Sequence, residues 1–313
     1  MRANVEYVII ACCTYKRPEM LAETIESLLE INFPENIKTE ILIVDNDKEQ
    51  SAKNTVLKYQ NSFIKINYAV EENSGLANVR NKALNEAIRL GASHILFIDD
   101  DETADKDWLV NHIEFYNSHD DISVSSGPTY KKFDKKYPKY ITENNFFKKR
   151  TTKKLGQYRK TCASGNVFFS LDIVKDNNLY FSKDFNYLGG EDMNFFRRVS
   201  EKGYKIGWND TAVNYEWIDE TRANIKWLLN RAYFNGYASS VVKFQNSTNF
   251  VKRILYIATR FFTAIFNLFI TIFSILGGFT MFLNTLCLAL KNVGKLVGAV
   301  NMKPVKYYQN RNV

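Results

Sequence analysis

The 313-residue chain has only four cysteines, Cys12, Cys13, Cys162 and Cys287, and none stands in a C-x-x-C or similar metal-ligand spacing. Cys12 and Cys13 are adjacent inside an apolar run and read as core thiols, which argues against a disulfide framework and for a reducing compartment, the cytoplasm. A secretory leader is not expected either. The N-terminus "MRANVEYVIIACC" enters an apolar strand-like run without a cleavage site of small residues. No internal repeat is visible. The exit from that first strand, "ACCTYKRPEM", contains no glycine, so the glycine-rich phosphate loop of a sugar-nucleotide pyrophosphorylase is missing. The most conspicuous absence is of charge: Phe261 to Leu290 is thirty residues without one ionisable acid or base, interrupted by Gly277 and Gly278.

What is present is uneven. The net charge is +8, yet residues 131–160 hold twelve Lys or Arg against only Asp134 and Glu143. That local excess of +10 leaves the rest of the chain near −2. The stretch is interleaved with Phe133, Tyr137, Tyr140, Phe146, Phe147 and Tyr158, a pattern that suits a phosphorylated substrate, anionic lipid or nucleic acid, or else a solvated loop. The first hundred residues alternate between strand and helix patterns. Strands are expected at 5–13, 39–46, 63–72 and 93–99, with helices at Pro18–Glu30, near 50–61 and at Leu76–Leu90, the last stopped by Gly91. Such alternation predicts a mostly parallel α/β sheet whose ligands sit beyond the carboxyl ends of the strands.

Acids collect at those ends. "SHILFIDDDET" runs an apolar strand into Asp99, Asp100, Asp101 and Glu102. Residues two apart on a strand share a side, so Asp99 and Asp101 are placed to share a hard divalent cation, which takes oxygen ligands. An acidic surface turn leading into the next helix is the plainer alternative. "NSGLANVRNKAL" opens a helix with Gly75 and carries Arg80, a phosphate-binding arrangement or an ordinary helix face. "GGEDMNFFRR" puts Glu191 and Asp192 at a helix start after two glycines, where Asp192 can serve as a general base or both can act as N-terminal helix caps.

In this order and spacing, "CCTYKRP", "IVDND", "NSGLANVRNKAL", "FIDDDE", "SGNVFF" and "GGEDMNFFRR" resemble a family 2 glycosyltransferase of GT-A fold, in particular the bacterial glucosyltransferases of succinoglycan-type exopolysaccharide assembly. The likeness runs from about residue 5 to about 240. It implies a mixed, mostly parallel sheet flanked by helices, with residues 1–245 as the catalytic domain and 246–313 as a membrane-associated helical tail. It also implies roles. Thr14, Asp45 and Arg80 line the nucleotide pocket, and Asp99 faces the ribose or diphosphate. Asp101 binds Mg2+ or Mn2+. Asn166 lies beside the donor sugar. Asp192 is the base, with Glu191 beside it orienting a sugar. Relatives carry a metal-binding His where this chain has Glu216, so Glu216 either replaces it or has no such role. The Q-x-x-R-W of processive members is absent from "IKWLLNRAYFNG", so one sugar is transferred per acceptor.

The implied reaction is inverting transfer from a nucleotide-diphospho-sugar, a UDP-hexose, to a saccharide acceptor linked to polyprenyl diphosphate, at the cytoplasmic face of the membrane and without nucleic acid. Two other readings compete. "FIDDDET" also fits the D-x-D-x-T pattern of an aspartyl phosphatase with Asp99 as nucleophile, although that pattern normally begins its domain. A basic membrane-surface adaptor without catalysis would leave Asp99, Asp101 and Asp192 without a role. For the charge-free run, thirty helical residues would extend about 45 Å against a hydrocarbon core of about 30 Å. Lys252, Arg253 and Arg260 precede it and Lys291, Lys295, Lys303 and Lys306 follow. Basic residues on both flanks favour two helices joined at the glycines in the cytoplasmic leaflet over a single span. A helical hairpin packed on the catalytic domain is the alternative.

Overall fold

The computed structural model describes residues 4–148, 154–245 and 249–300. The first half follows the expected alternation: β1 (Tyr7–Thr14), α1 (Pro18–Leu29), β2 (Lys38–Asp45), α2 (Lys53–Leu57), β3 (Ile66–Val70), α3 (Leu76–Arg89) and β4 (His94–Asp99). The chain then makes β5 (Glu102–Ala104), α4 (Trp108–Ser118), β6 (Ile122–Ser126), β7 (Thr129–Phe133), α5 (Lys139–Thr142), β8 (Tyr158–Arg159), β9 (Asn166–Ser170) and α6 (Asp172–Asn177). It closes with α7 (Glu191–Glu201), β10 (Lys205–Trp208), β11 (Asn214–Ile218), α8 (Ile225–Phe244), α9 (Phe250–Ser274) and α10 (Phe279–Val300). The helix expected near 50–61 shrinks to the five residues of α2.

Eight strands form one sheet in the order β3-β2-β1-β4-β9-β6-β10-β8, and β5-β11-β7 form a second, small one. β1 runs parallel to both β2 and β4, in a register that sets Thr14 beside Asp45 and Cys13 beside Asp99. The three strand ends therefore line up, as the alternating pattern requires. β9 enters between β4 and β6 antiparallel to both, which makes the sheet mixed and carries the "SGN" turn to the acidic end of β4. Side chains alternate along the strands. Ile9, Ala11, Leu42, Val44, Ile95 and Phe97 face α3 and α7 on one side. Val8, Ile10, Cys12, Ile41, Ile43 and Leu96 face α1 and α4 on the other.

The aromatic part of the basic stretch is anchored rather than loose. Phe147 stacks on Trp227 of α8 at 5.7 Å, and Tyr140 meets Phe279 of α10 edge-on at 5.0 Å. Ile141, Phe147, Leu228, Ala232, Leu283 and Cys287 share one core cluster. Residues 149–153 of the stretch lie outside the described residues, as do Lys303 and Lys306.

α9 and α10 form the hairpin expected from the two glycines. A short 3-10 turn ends at Gly277, and Gly278 takes a φ of +90°, where an L side chain is strained. α10 is packed along α8, so helices on either side of residue 245 share a core. Glycine makes that contact possible: a Cβ on Gly236 would overlap the Lys291 carbonyl, and one on Gly294 would overlap the Tyr233 carbonyl. α9 lies outside α10. Among the described residues one helix, Phe250–Gly277, is long and apolar enough to cross a membrane, and only 22% of its most apolar window is buried.

Gly294→Ala is expected to push α10 off α8 and lower stability by about 1–3 kcal/mol, as overpacking does. Chemical denaturation checks this, and an unchanged midpoint would show that the helices can part freely.

Candidate active site

The four acids at the end of β4 are separated by handing each to a different partner. Asp99 Oδ1 accepts from Arg80 Nη2 at 3.3 Å, and the Asp99 side chain is 42% exposed. Asp100 turns the other way, accepting from the Thr14 hydroxyl at 2.7 Å and from Arg17 at 3.2 Å. Asp101 Oδ2 is paired with Arg17 at 3.2 Å and with Arg222. Glu102 accepts from Asn214 Nδ2 at 2.7 Å and from the Asp99 backbone N–H. Burial pushes the Asp100 carboxyl up to about 6 although Arg17 opposes it, and drives Glu102 well above its ordinary range. Burial also works against ionisation of Asp101, but Arg222 and Arg17 outweigh it and hold its carboxyl low.

The neighbouring "SGN" turn is fitted tightly to this end. A Cβ on Gly165 would stand 2.8 Å from Asp99 Oδ2 and 2.9 Å from the Glu102 carboxylate. Across the opening, Gly189 and Gly190 both take positive φ and start α7 with Glu191 and Asp192. Arg80 reaches from α3 to pair with Glu191 as well as Asp99. One guanidinium thus ties the β4 motif to the α7 motif. Asp192 is half-buried and accepts from the Met193 N–H at 2.6 Å. Burial raises its pKa, while Arg80 pulls the other way. Burial likewise pushes Glu191 up to about 7 against the pull of Arg80.

Several of the expected site residues are already engaged by neighbours. Glu191 is held by Arg80 and only 4% exposed. Asp45 is fully buried. Its carboxylate accepts from the Asp47 and Ala52 N–H groups and from the Tyr68 hydroxyl, which shapes the loop after β2. Thr14 is buried and its hydroxyl belongs to Asp100. Asn166 has no free amide capacity. It donates to the Pro128 and Ala212 carbonyls and Asn214, and its oxygen receives Trp108 Nε1 at 2.8 Å and contacts His112 Nε2 at 2.7 Å. It is a structural hub at the start of β9. Glu216 is not a free third ligand, because Lys131 and Arg222 take its two oxygens. The cause is register: Glu216 lies opposite Lys131 of β7 and Glu102 of β5 in the small sheet.

Among the described residues, no three His, Cys, Asp or Glu side chains are grouped to hold a metal ion. Asp99 and Asp101 nevertheless supply two carboxylates at one strand end. A hard cation that shares its shell with substrate phosphates needs no more from the protein. The donor set fits such an ion, with Arg17 and Arg222 as the present partners of Asp101. Arg17, Lys131, Asn214 and Arg222 are neighbours to which sequence reasoning gave no role, whereas Glu102 stood in the acidic cluster of "FIDDDE". Of the four, only Arg17 carried a motif signal, inside "CCTYKRP".

Residues 8–177 match the model of the family described as "Glycosyl transferase family 2", and 94–294 match that of "Glycosyl transferase family group 2". The chain is 30% identical to the succinoglycan biosynthesis protein ExoM of Rhizobium meliloti (strain 1021), with 74% of this chain and 73% of the relative covered. It is 25% identical to the glucosyl-dolichyl phosphate glucuronosyltransferase of Haloferax volcanii, with 75% and 77% covered. The fold is shared with S. aureus TarS 1-349 in complex with UDP-GlcNAc, at a TM-score of 0.52 and 20% identity over 74% of this chain and 66% of that one. It is also shared with the mannosyltransferase PcManGT of Pyrobaculum calidifontis in complex with GDP-Man and Mn2+, at 0.55 and 14% over 75% and 64%. The chain thus spans slightly under two thirds of each of these two structures. Both likenesses place the chain in the GT-A fold.

Asn166→Leu should strip partners from Trp108, His112 and two buried carbonyls, at roughly 1–3 kcal/mol for each buried group left unpaired. The expected result is a lower melting temperature with an unchanged donor KM in the folded fraction. A shifted donor KM at full stability would restore Asn166 to the sugar site.

Proposed function

Because the chain belongs to glycosyltransferase family 2, we propose that it transfers one sugar per acceptor, with inversion, from a UDP-hexose to a saccharide carried on polyprenyl diphosphate during surface polysaccharide synthesis. The observation that carries this reading is the joining of Asp99 and Glu191 by Arg80. It sets the base candidate Asp192 across one opening from the carboxylates suited to a nucleotide diphosphate. The succinoglycan relative supports the polysaccharide setting, and the glucosyl-dolichyl phosphate relative supports a lipid-borne acceptor.

The acceptor hydroxyl oxygen bonds to the anomeric carbon as the bond from that carbon to the diphosphate oxygen breaks. Asp192 takes the hydroxyl proton, and the nucleoside diphosphate leaves. With a base and no enzyme nucleophile, the displacement is single and an α-linked donor gives a β-glycoside. Mg2+ or Mn2+, held by Asp101 and Asp99, supplies Lewis-acid neutralisation of the leaving diphosphate when bound. Arg17, Arg222 and Lys131 ring the same place and add positive charge to it. Arg80 and Glu191 keep Asp99 and the start of α7 in register. The segment 246–313 acts as the membrane-associated tail of the 1–245 catalytic domain. α9 lies along the cytoplasmic leaflet and does not cross it, since its partner α10 is fastened to α8.

Asp101→Asn and Asp192→Asn should both lower turnover, but differently. The first raises the donor KM in a way that depends on metal concentration. The second spares donor binding and costs roughly 10²–10⁴-fold in kcat by general-base precedent. Steady-state kinetics with released diphosphate as the signal separates the two, and near wild-type turnover in Asp192→Asn would remove the base. Turnover should also fall as pH drops and Asp192 takes up a proton, along an acid limb lying above the ordinary Asp value near 3.9. A limb at or below that value would mean Asp192 is not the titrating base.

A further inference from the structure

From Thr221 to the end of the sequence there are twelve Lys or Arg and no Asp or Glu. The fold gathers several of these cations at one place, where the end of α8, the start of α9 and the end of α10 meet. The antiparallel hairpin causes this, because it returns the basic end of α10 to the basic start of α9. Tyr256 stands at the centre. Lys243 Nζ lies 4.1 Å from its ring centroid and Arg260 Cζ 4.9 Å. Its hydroxyl is 3.1 Å from Ser240 Oγ of α8. Arg260 contacts Asn292 Oδ1 of α10 at 3.4 Å, and its Nε is buried without a partner. Burial and repulsion from Arg260 and Arg197 lower the Lys243 pKa. Burial and repulsion from Arg260, Lys291 and Lys243 lower that of Lys295. Among the described residues, no carboxylate pairs with Lys243, Arg260 or Lys295.

A group of cations, exposed at Lys243 and half-buried at Arg260 and Lys295, without a carboxylate partner calls for an anion. What adjoins it decides which one. α9 exposes Leu255 next to Tyr256 and Phe261 and Phe262 next to Arg260, and its side facing away from Tyr256 and Arg260 continues through exposed Phe266, Phe269, Ile272 and Leu276. Such an apolar surface marks a membrane or partner surface. A basic group flanked by exposed apolar side chains matches a molecule with a phosphate head and an acyl body.

We propose that Lys243, Arg260 and Lys295, set around Tyr256, form a binding site for the phosphate headgroup of an anionic phospholipid, which seats the α9 face on the membrane. This inference rests on the membrane association proposed above. It assigns the charge preference of that association to three residues, of which Lys243 follows Val242, the residue packed against Gly190 at the start of α7.

The test is co-sedimentation of the full chain with vesicles of phosphatidylcholine alone and of phosphatidylcholine mixed with phosphatidylglycerol. Wild type should bind the mixed vesicles more tightly. Lys243→Gln with Lys295→Gln should lose most of that increment, roughly fivefold for each cation removed, and keep binding to the neutral vesicles. Lys243→Arg with Lys295→Arg should retain the increment, which guards against a mere folding defect. Lys53→Gln with Lys202→Gln removes the same charge from exposed positions elsewhere and should change little. Equal losses in the two Gln pairs would reduce the site to diffuse charge and overturn it. An unchanged increment in Lys243→Gln with Lys295→Gln would overturn it as well. If wild type bound the neutral vesicles but gained nothing from phosphatidylglycerol, the site would fail while membrane association stood. If wild type bound neither, both would fail.

Discussion

Four consecutive carboxylates at the end of a buried strand cannot all be ionised side by side without opposite charge close at hand. Much of the architecture around the opening supplies that charge. Arg17 comes from the entry to α1, Arg80 from α3, Lys131 from β7 and Arg222 from the approach to α8. Asn214 of β11 holds Glu102. Elements scattered over two hundred residues are thus drawn to one strand end. The small sheet β5-β11-β7 makes sense in these terms, since its register lays Glu102, Glu216 and Lys131 in one row beside Asp101. A dry acidic cluster is expensive to maintain unless it is paired and hydrogen-bonded. That cost is met at the strand end proposed to receive the donor's diphosphate.

The sequence made the sheet legible because its strands are long, apolar and separated by amphipathic helices, so the strand ends, and the acids on them, could be placed before any coordinates. It also made the two-helix form of the charge-free run legible, since two glycines fall at its middle. What it could not convey was which polar side chains are already engaged. Asp45, Thr14 and Asn166 have the residue types of ligand contacts, yet each is satisfied by backbone or buried neighbours. Nothing local in the sequence distinguishes an open carboxylate from one folded into its own loop. The arginines were hidden for the converse reason. Arg222 sits in "DETRAN", an unremarkable polar turn, and acquires its place only through the packing of β11 against β5. Lys131 lay within a run of lysines whose other members are mostly surface groups, and only register sets it apart.

Arg80 illustrates how such a site is kept in one geometry. It is buried, and its charge bridges a strand end and a helix start that come from sequence positions about ninety residues apart. Removing either carboxylate would leave a buried guanidinium with half its partners, a situation more costly than the intact pair is favourable. The arrangement therefore favours precision over stability. It ties the strand end carrying Asp99 to the helix start carrying Glu191 and the proposed base Asp192. In the proposed displacement, where attack and departure occur on opposite sides of one carbon, that spacing would act on the rate through positioning.

α8 joins this geometry to the C-terminal helical hairpin. It begins just after Arg222 and runs twenty residues, about 30 Å at the helical rise, to Lys243 beside the basic group around Tyr256. Along the way it is packed on α7, where Gly190 lies under Ala238 and Val242, and on α10, where Gly236 meets the Lys291 carbonyl. The α10 contact depends on glycine bringing backbones close, and Ala238 and Val242 pack side chains against Gly190, so α8 cannot shift far without colliding with one neighbour or the other. A helix clamped on two sides carries orientation faithfully. If α9 lies on a lipid surface as proposed, the glycine contact of α10 with α8 would set the tilt of the candidate site relative to the bilayer.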